Sequence, residues 1–258
     1  MRLNYNNILS GLACAGLCFG VASAHANPLI MEDFNDVTLN TGLNPCTAPM
    51  VAATPVVVST MPCTGQLPAG TSATANVNIR RGDNTINTGT LATGFDGFFQ
   101  NLATNKFLVL GDASGVTGNA PEQGIFSIQF PFTLPAGMSG TEAVHIVFDW
   151  AFDGVDNNSA ANIADLADVS IVGNTAVSIK SLSSDSDLGN SGTFDEMIPF
   201  STFPTGNLSL RFRLTEHNND LTNTAFAVDN IRVVPEPASI ALFGLALAGL
   251  LATRKRRN

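Results

Sequence analysis

Residues 143–152 read Ala-Val-His-Ile-Val-Phe-Asp-Trp-Ala-Phe. Val144, Ile146, Phe148, Trp150 and Phe152 recur at every second position, with His145 and Asp149 between them. Side chains alternate between the two faces of a strand, so this stretch is a strand with one buried face. Outward from it the same period returns. In Gly124–Leu134, Phe126, Ile128 and Phe130 alternate with Ile125, Ser127 and Gln129. In Asn207–Leu214, Leu208, Leu210, Phe212 and Leu214 alternate with polar residues that include Arg211 and Arg213.

Between these, Asp168–Val172 and Ala176–Leu182 form a hairpin across Gly173-Asn174, a pair that supplies turn conformations cheaply. Lys106–Leu110, Val56–Ser59 and Asn76–Arg80 are shorter runs, Leu29–Phe34 opens the series and Ala225–Val234 closes it. Helical periodicity is almost absent, and only the alanine-rich Asn158–Leu166 predicts a helical turn. About nine to eleven strands, each with one buried face and split by Gly, Asn, Asp and Pro, predict an all-β fold. The expected architecture is an antiparallel β-sandwich, a jelly roll.

Both ends of the chain have a different character. Residues 1–26 have the features of a secretory signal peptide: Arg2, an apolar run from Ile8 to Val21, and Ala24-His25-Ala26 as a cleavage site. Cys14 and Cys18 lack the leucine three residues upstream that a lipidation site wants. The other end reads Val234-Pro235-Glu236-Pro237, then an uncharged apolar run at 238–252, then Arg254-Lys255-Arg256-Arg257. The two prolines should break any strand or helix entering from the body. The apolar run is somewhat shorter than the about 20 residues a bilayer core requires, so the flanking cations would snorkel to the cytoplasmic side.

This tripartite end resembles the PEP-CTERM sorting signal of Gram-negative bacteria. The resemblance implies a transient inner-membrane anchor at 238–252. It also implies signal peptidase and exosortase as partners during export, and delivery to the cell surface or extracellular matrix. The organisation expected is therefore a signal peptide at 1–26, a β-sandwich body at 27–233 and a sorting signal at 234–258.

Of 12 basic residues, five lie in the leader and tail, namely Arg2, Arg254, Lys255, Arg256 and Arg257; of 21 acidic residues only Glu236 lies outside the body. The body therefore carries about −13, which argues against nucleic acid or an anionic membrane surface as a partner. The mature chain keeps two cysteines, Cys46 and Cys63. Export to an oxidising compartment points to a disulfide between them, and a zinc site would need further ligands.

No nucleophile elbow, zinc-protease helix or phosphate-binding loop is present, so the body is expected to be non-catalytic. The alternative function is a secreted carbohydrate-binding module, which would bind extracellular polysaccharide; an exported hydrolase is a third. Sugar stacking wants an exposed Trp or Tyr, yet Tyr5 leaves with the leader and Trp150 lies on the apolar face of its strand. Phe95, Phe98 and Phe99 are the remaining candidates for an aromatic platform.

The acidic start Glu32-Asp33-Phe34-Asn35 and the Val228-Asp229-Asn230-Ile231 end resemble those of galactose-binding-like jelly rolls. The resemblance implies neighbouring terminal strands and a structural calcium held by Glu32 and Asp229. A second possible calcium home is Asp153-Gly154-Val155-Asp156, through Asp153 and Asp156, with Ser184-Asp185-Ser186-Asp187 a weaker version. Asp and Asn also build turns without any metal.

Overall fold

The computed structural model describes residues 27–35, 56–57, 68, 70–73, 77–81, 105–111, 124–138, 142–154, 163–217 and 224–236. The signal peptide, Cys46, Cys63, Phe95, Phe98, Phe99, Asp156, Pro237, the apolar run at 238–252 and Arg254 to Arg257 all lie outside them.

Twelve strands are described: β1 (Ile30–Glu32), β2 (Val56–Val57), β3 (Ser72–Ala73), β4 (Val77–Arg81), β5 (Lys106–Gly111), β6 (Gly124–Phe132), β7 (Ala143–Gly154), β8 (Leu166–Val172), β9 (Ala176–Ser183), β10 (Asn190–Pro199), β11 (Leu208–Glu216) and β12 (Thr224–Pro235). They form two antiparallel sheets. One has the order β10-β7-β12-β5-β4, with β1 added against β12; the other has the order β2-β3-β6-β11-β8-β9. The chain is thus an all-β sandwich, as the alternating pattern requires.

The opening stretch is β7, the strand flanked by β10 and β12. Its inward residues Val144, Ile146, Phe148 and Phe152 are fully buried, and Trp150 is nearly so. Across the sandwich β11 presents Leu210, Phe212 and Leu214, also fully buried. A file of rings joins the sheets. Phe212 meets Phe148 edge-on at 5.2 Å and Phe130 at 6.1 Å, and Phe148 stacks on Phe194 at 4.8 Å. Such pairs add about 0.5–1.5 kcal/mol each beyond their area burial.

The expected hairpin is present, with Val172 paired to Ala176 across Gly173–Thr175. The terminal strands are neighbours as well, with Ile30 opposite Val233 and Glu32 opposite Ile231. In the described part of the expected helical turn, 163–165 are irregular and Leu166 opens β8. Ser184–Asp187 instead makes a one-turn helix, α1. The Ser183 hydroxyl caps it, and the Asp187 carboxylate accepts the Ser183 N–H at 2.9 Å.

β12 ends at Pro235, opposite Val144, as the proline predicts, and the next residue is still held: the Glu236 N–H donates to the Ala143 carbonyl at 3.0 Å. Hydrogen-bonded and non-bonded pairs alternate along an antiparallel ladder. With Glu236 bonded to Ala143, Pro235 falls on a non-bonded position. Its missing N–H therefore costs the β7 ladder nothing.

Candidate functional site

The outer face of the first sheet brings together Asp149 and Asp229. β12 bulges between Asp229 and Arg232, and Asn230 takes φ +53 there, a left-handed conformation that Asn tolerates better than most residues. The bulge explains the Val-Asp-Asn-Ile sequence. The Asp229 carboxylate accepts the Asn230 N–H at 2.7 Å, and the Asn230 side-chain amide donates to Asp149 at 2.8 Å.

Asp229 lies directly opposite Asp149 in the β12–β7 ladder. Thr193 donates to the other Asp149 oxygen at 2.5 Å, and Asn105 donates to the other Asp229 oxygen at 3.0 Å. Asp229 is only 1% exposed, and its pKa is pushed up to about 6. Burial is the main cause. The carboxylates of Asp149 and Asp33 push the same way, against the hydrogen bonds from Asn105 and Asn230.

Glu32 does not join this group. It pairs with core-facing Ile231 and so lies on the inner face, whereas Asp229 and Asp149 lie on the outer one. Its carboxylate accepts the Phe34 N–H at 2.7 Å. That bond fixes a turn in which Phe34, a bulky residue, sits at φ +55 with its ring fully buried. The terminal strands thus meet as expected, but a face separates Glu32 from Asp229.

Each of the four oxygens of Asp149 and Asp229 accepts one N–H or O–H donor. Among the described residues no three His, Cys, Asp or Glu side chains converge well enough to hold a metal. Asp153 is buried near the far end of β7, and its expected partner Asp156 lies outside the described residues.

A second polar assembly closes that end of the sandwich. Buried Asp165 accepts the His217 N–H at 2.8 Å and the Thr224 hydroxyl at 3.0 Å, and its own N–H donates to the Ser184 hydroxyl at 2.9 Å. Gly111 packs beneath it at φ +82. A Cβ there would come within 2.6 Å of the Thr224 carbonyl and 2.5 Å of Leu214.

The outer face of the second sheet is polar and carries a cationic pair. Arg211 and Arg213 share one carboxylate, Asp168, at 3.7 and 3.6 Å, and Arg211 Nε donates to the Ser170 hydroxyl at 3.1 Å. Gln129 and Ser127 lie opposite them on β6. Burial, and then Arg213, pull the Arg211 guanidinium below its ordinary pKa, against Asp168. Trp150 is not part of an exposed platform: it is buried, with Lys180 Nζ 4.5 Å from its ring centroid.

The last contact concerns the chain end. His145, on the outer face of β7, lies 2.6 Å from Asp195 through Nε2 and 3.7 Å from Glu236 through Nδ1. Glu236 is the glutamate of the Pro-Glu-Pro run. Residues 233–257 match the family described as the PEP-CTERM protein-sorting motif. The chain carries a PEP-CTERM tail. The match starts one residue before the boundary read from the sequence and takes in Val234, Pro235, Glu236 and Pro237 as well as the cations from Arg254 to Arg257.

The PEP-CTERM motif indicates export through the membrane with exosortase processing, as in Gram-negative bacteria. No helix among the described residues is long and apolar enough to cross a membrane. No curated protein matches the chain.

Several solved structures are similar to it. The carbohydrate-binding module TmCBM61 in complex with β-1,4-galactotriose is 12% identical, over 64% of this chain and 87% of that one, with a TM-score of 0.36. The K3 cleaved adhesin domain of Lys-gingipain from Porphyromonas gingivalis w83 is 10% identical, over 81% and 98%, with a TM-score of 0.36. A cyclase from Fischerella sp. TAU is 13% identical, over 64% and 76%, with a TM-score of 0.35.

Proposed function

We propose that this chain is an exported, non-catalytic β-sandwich protein. Its PEP-CTERM tail delivers it to the cell surface or the extracellular matrix. The observation that carries this reading is the motif match at residues 233–257, which begins inside the last strand of the body. Leader removal at Ala26, an apolar anchor at 238–252 and exosortase as the processing partner belong to the same reading. The outer-face carboxylates support a structural rather than a catalytic role. Asp149 and Asp229 hold a β-bulge, Asp165 holds the end of the sandwich, and Asp195 is bonded to His145. Fractionation of the native host tests the reading: the body belongs in surface or matrix material, and replacing Arg254–Arg257 should trap or mislocalise it.

A second reading, a carbohydrate-binding module, is favoured by the outer face of the second sheet. Two guanidiniums beside one carboxylate leave a local positive excess on a body of about −13. Planar guanidinium forks recognise carboxylates, so the polysaccharide would be an acidic one. Pull-down of the purified body with uronate-containing and neutral polysaccharides tests it. Retention of the acidic polymer alone, lost when both Arg211 and Arg213 become Ala, supports this reading. Equal behaviour of the two polymers opposes it.

A further inference from the structure

Val234, Pro235 and Glu236 are at once the start of the sorting motif and the end of the body's sheet. Val233 is fully buried in the core opposite Ile146, and the Leu29 N–H donates to its carbonyl at 2.7 Å. Val234 then pairs with His145 and buried Pro235 with Val144, and the Glu236 N–H is bonded to Ala143. The ladder to β1 ends at Val233, so beyond it the strand is held by β7. The Glu236 side chain is 24% exposed and faces His145, whose other ring nitrogen is engaged by Asp195.

We propose that the folded body caps its own sorting motif. β7, with the His145–Asp195 pair, holds Val234–Glu236 as sheet, so a processing enzyme engages Glu236 only after the end of β12 peels from β7. This rests on the exosortase reading of the tail. An enzyme that acts on a peptide backbone must reach both the backbone and the side chains that specify the site, and a strand hydrogen-bonded into a sheet offers neither fully. The geometry also makes the end of β12 the easy place to open. β1 has already stopped, so β7 alone holds the strand there, and strand ends open at far lower free energy than core strands. Maturation then depends on this local fraying, and the body up to Val233 stays folded throughout.

The test uses the full-length chain, expressed in a host that processes PEP-CTERM proteins. Pulse–chase measures the rate at which the tail is lost, and hydrogen exchange of the full chain in detergent measures protection of the Glu236 amide. His145→Ala removes the side-chain clamp and leaves the motif unchanged. Its expected effect is processing about two- to fivefold faster, the range of one weak surface contact. A Gly/Ser spacer between Val233 and Val234 lifts the motif clear of the sheet. It should accelerate processing about tenfold and abolish protection of the Glu236 amide. Glu236→Ala controls for the motif itself. Normal processing that Glu236→Ala blocks, but that neither the spacer nor His145→Ala accelerates, overturns the cap and leaves the sorting reading intact. A wild-type chain that is never shortened, with Glu236→Ala indistinguishable from it, overturns both.

Discussion

Replacing Asp229 with Asn should make the body more stable at neutral pH, and the gain should vanish in acid. Asp229 is buried, and its pKa in the folded state is about 6 against an ordinary 3.8. The folded state therefore holds this proton more tightly than the unfolded state does. Below pH 3.8 both states are protonated and the group costs nothing. As pH rises towards 6 the unfolded chain loses its proton first, so stability falls; above about 6 the full cost is present. At about 1.4 kcal/mol per pH unit, the interval from 3.8 to about 6 amounts to about 3 kcal/mol.

Asn at this position still accepts the Asn230 N–H. It meets the Asn105 amide with a donor of its own, at a cost of about 1 kcal/mol at every pH. Urea melts of wild type and Asp229→Asn across this range should then show a difference that starts near −1 and ends near +2 kcal/mol at pH 7. A difference that stays flat, or that runs the other way, would refute the burial argument. Because no third carboxylate, histidine or cysteine converges with Asp149 and Asp229 among the described residues, millimolar calcium should shift both proteins alike. A calcium effect confined to the wild type would place a metal at Asp229 after all.

Phe212→Ala should cost about 3–5 kcal/mol in denaturant melts, because the ring is fully buried between Phe130 and Phe148; a cost below about 1 kcal/mol would contradict the packing. Gly111→Ala should cost about 2–4 kcal/mol, since it combines a left-handed backbone with a clash against the Thr224 carbonyl. Thiol labelling of the unreduced, denatured body should find no free thiol. Two labels per chain would refute a Cys46–Cys63 bond.

Period-2 alternation made β7, β6 and β11 legible, because each buries one face and bares the other. β10 was not read as a strand: it is the edge of its sheet, and among its residues only Phe194 is buried. β3 is two residues long and offers no period to read. In β5, Phe107 to Leu110 are buried on both faces, so the run showed where a strand lies but not which side faces the core.

The adjacency of the termini was implied by the resemblance of the acidic first strand and the Val-Asp-Asn-Ile last strand to galactose-binding-like jelly rolls. The partner of Asp229 was not. The Asn230 bulge and the register against β7 place Asp149 opposite it, two residues beyond the His145–Val147 stretch, and put Glu32 on the other face. Register is a property of the pairing of two strands, and neither strand's sequence states it alone. For the same reason the contact of His145 with Glu236 could not be read from the chain.

The claim on which the rest depends is that this chain is exported and trimmed at its PEP-CTERM tail. Intact-mass analysis of the protein recovered from surface or matrix material tests it most directly. The account predicts a chain that begins at Asn27 and ends near Pro235 to Pro237, without the apolar run and without Arg254–Arg257. Recovery of the protein only from the inner membrane, with that cationic end intact, would contradict it.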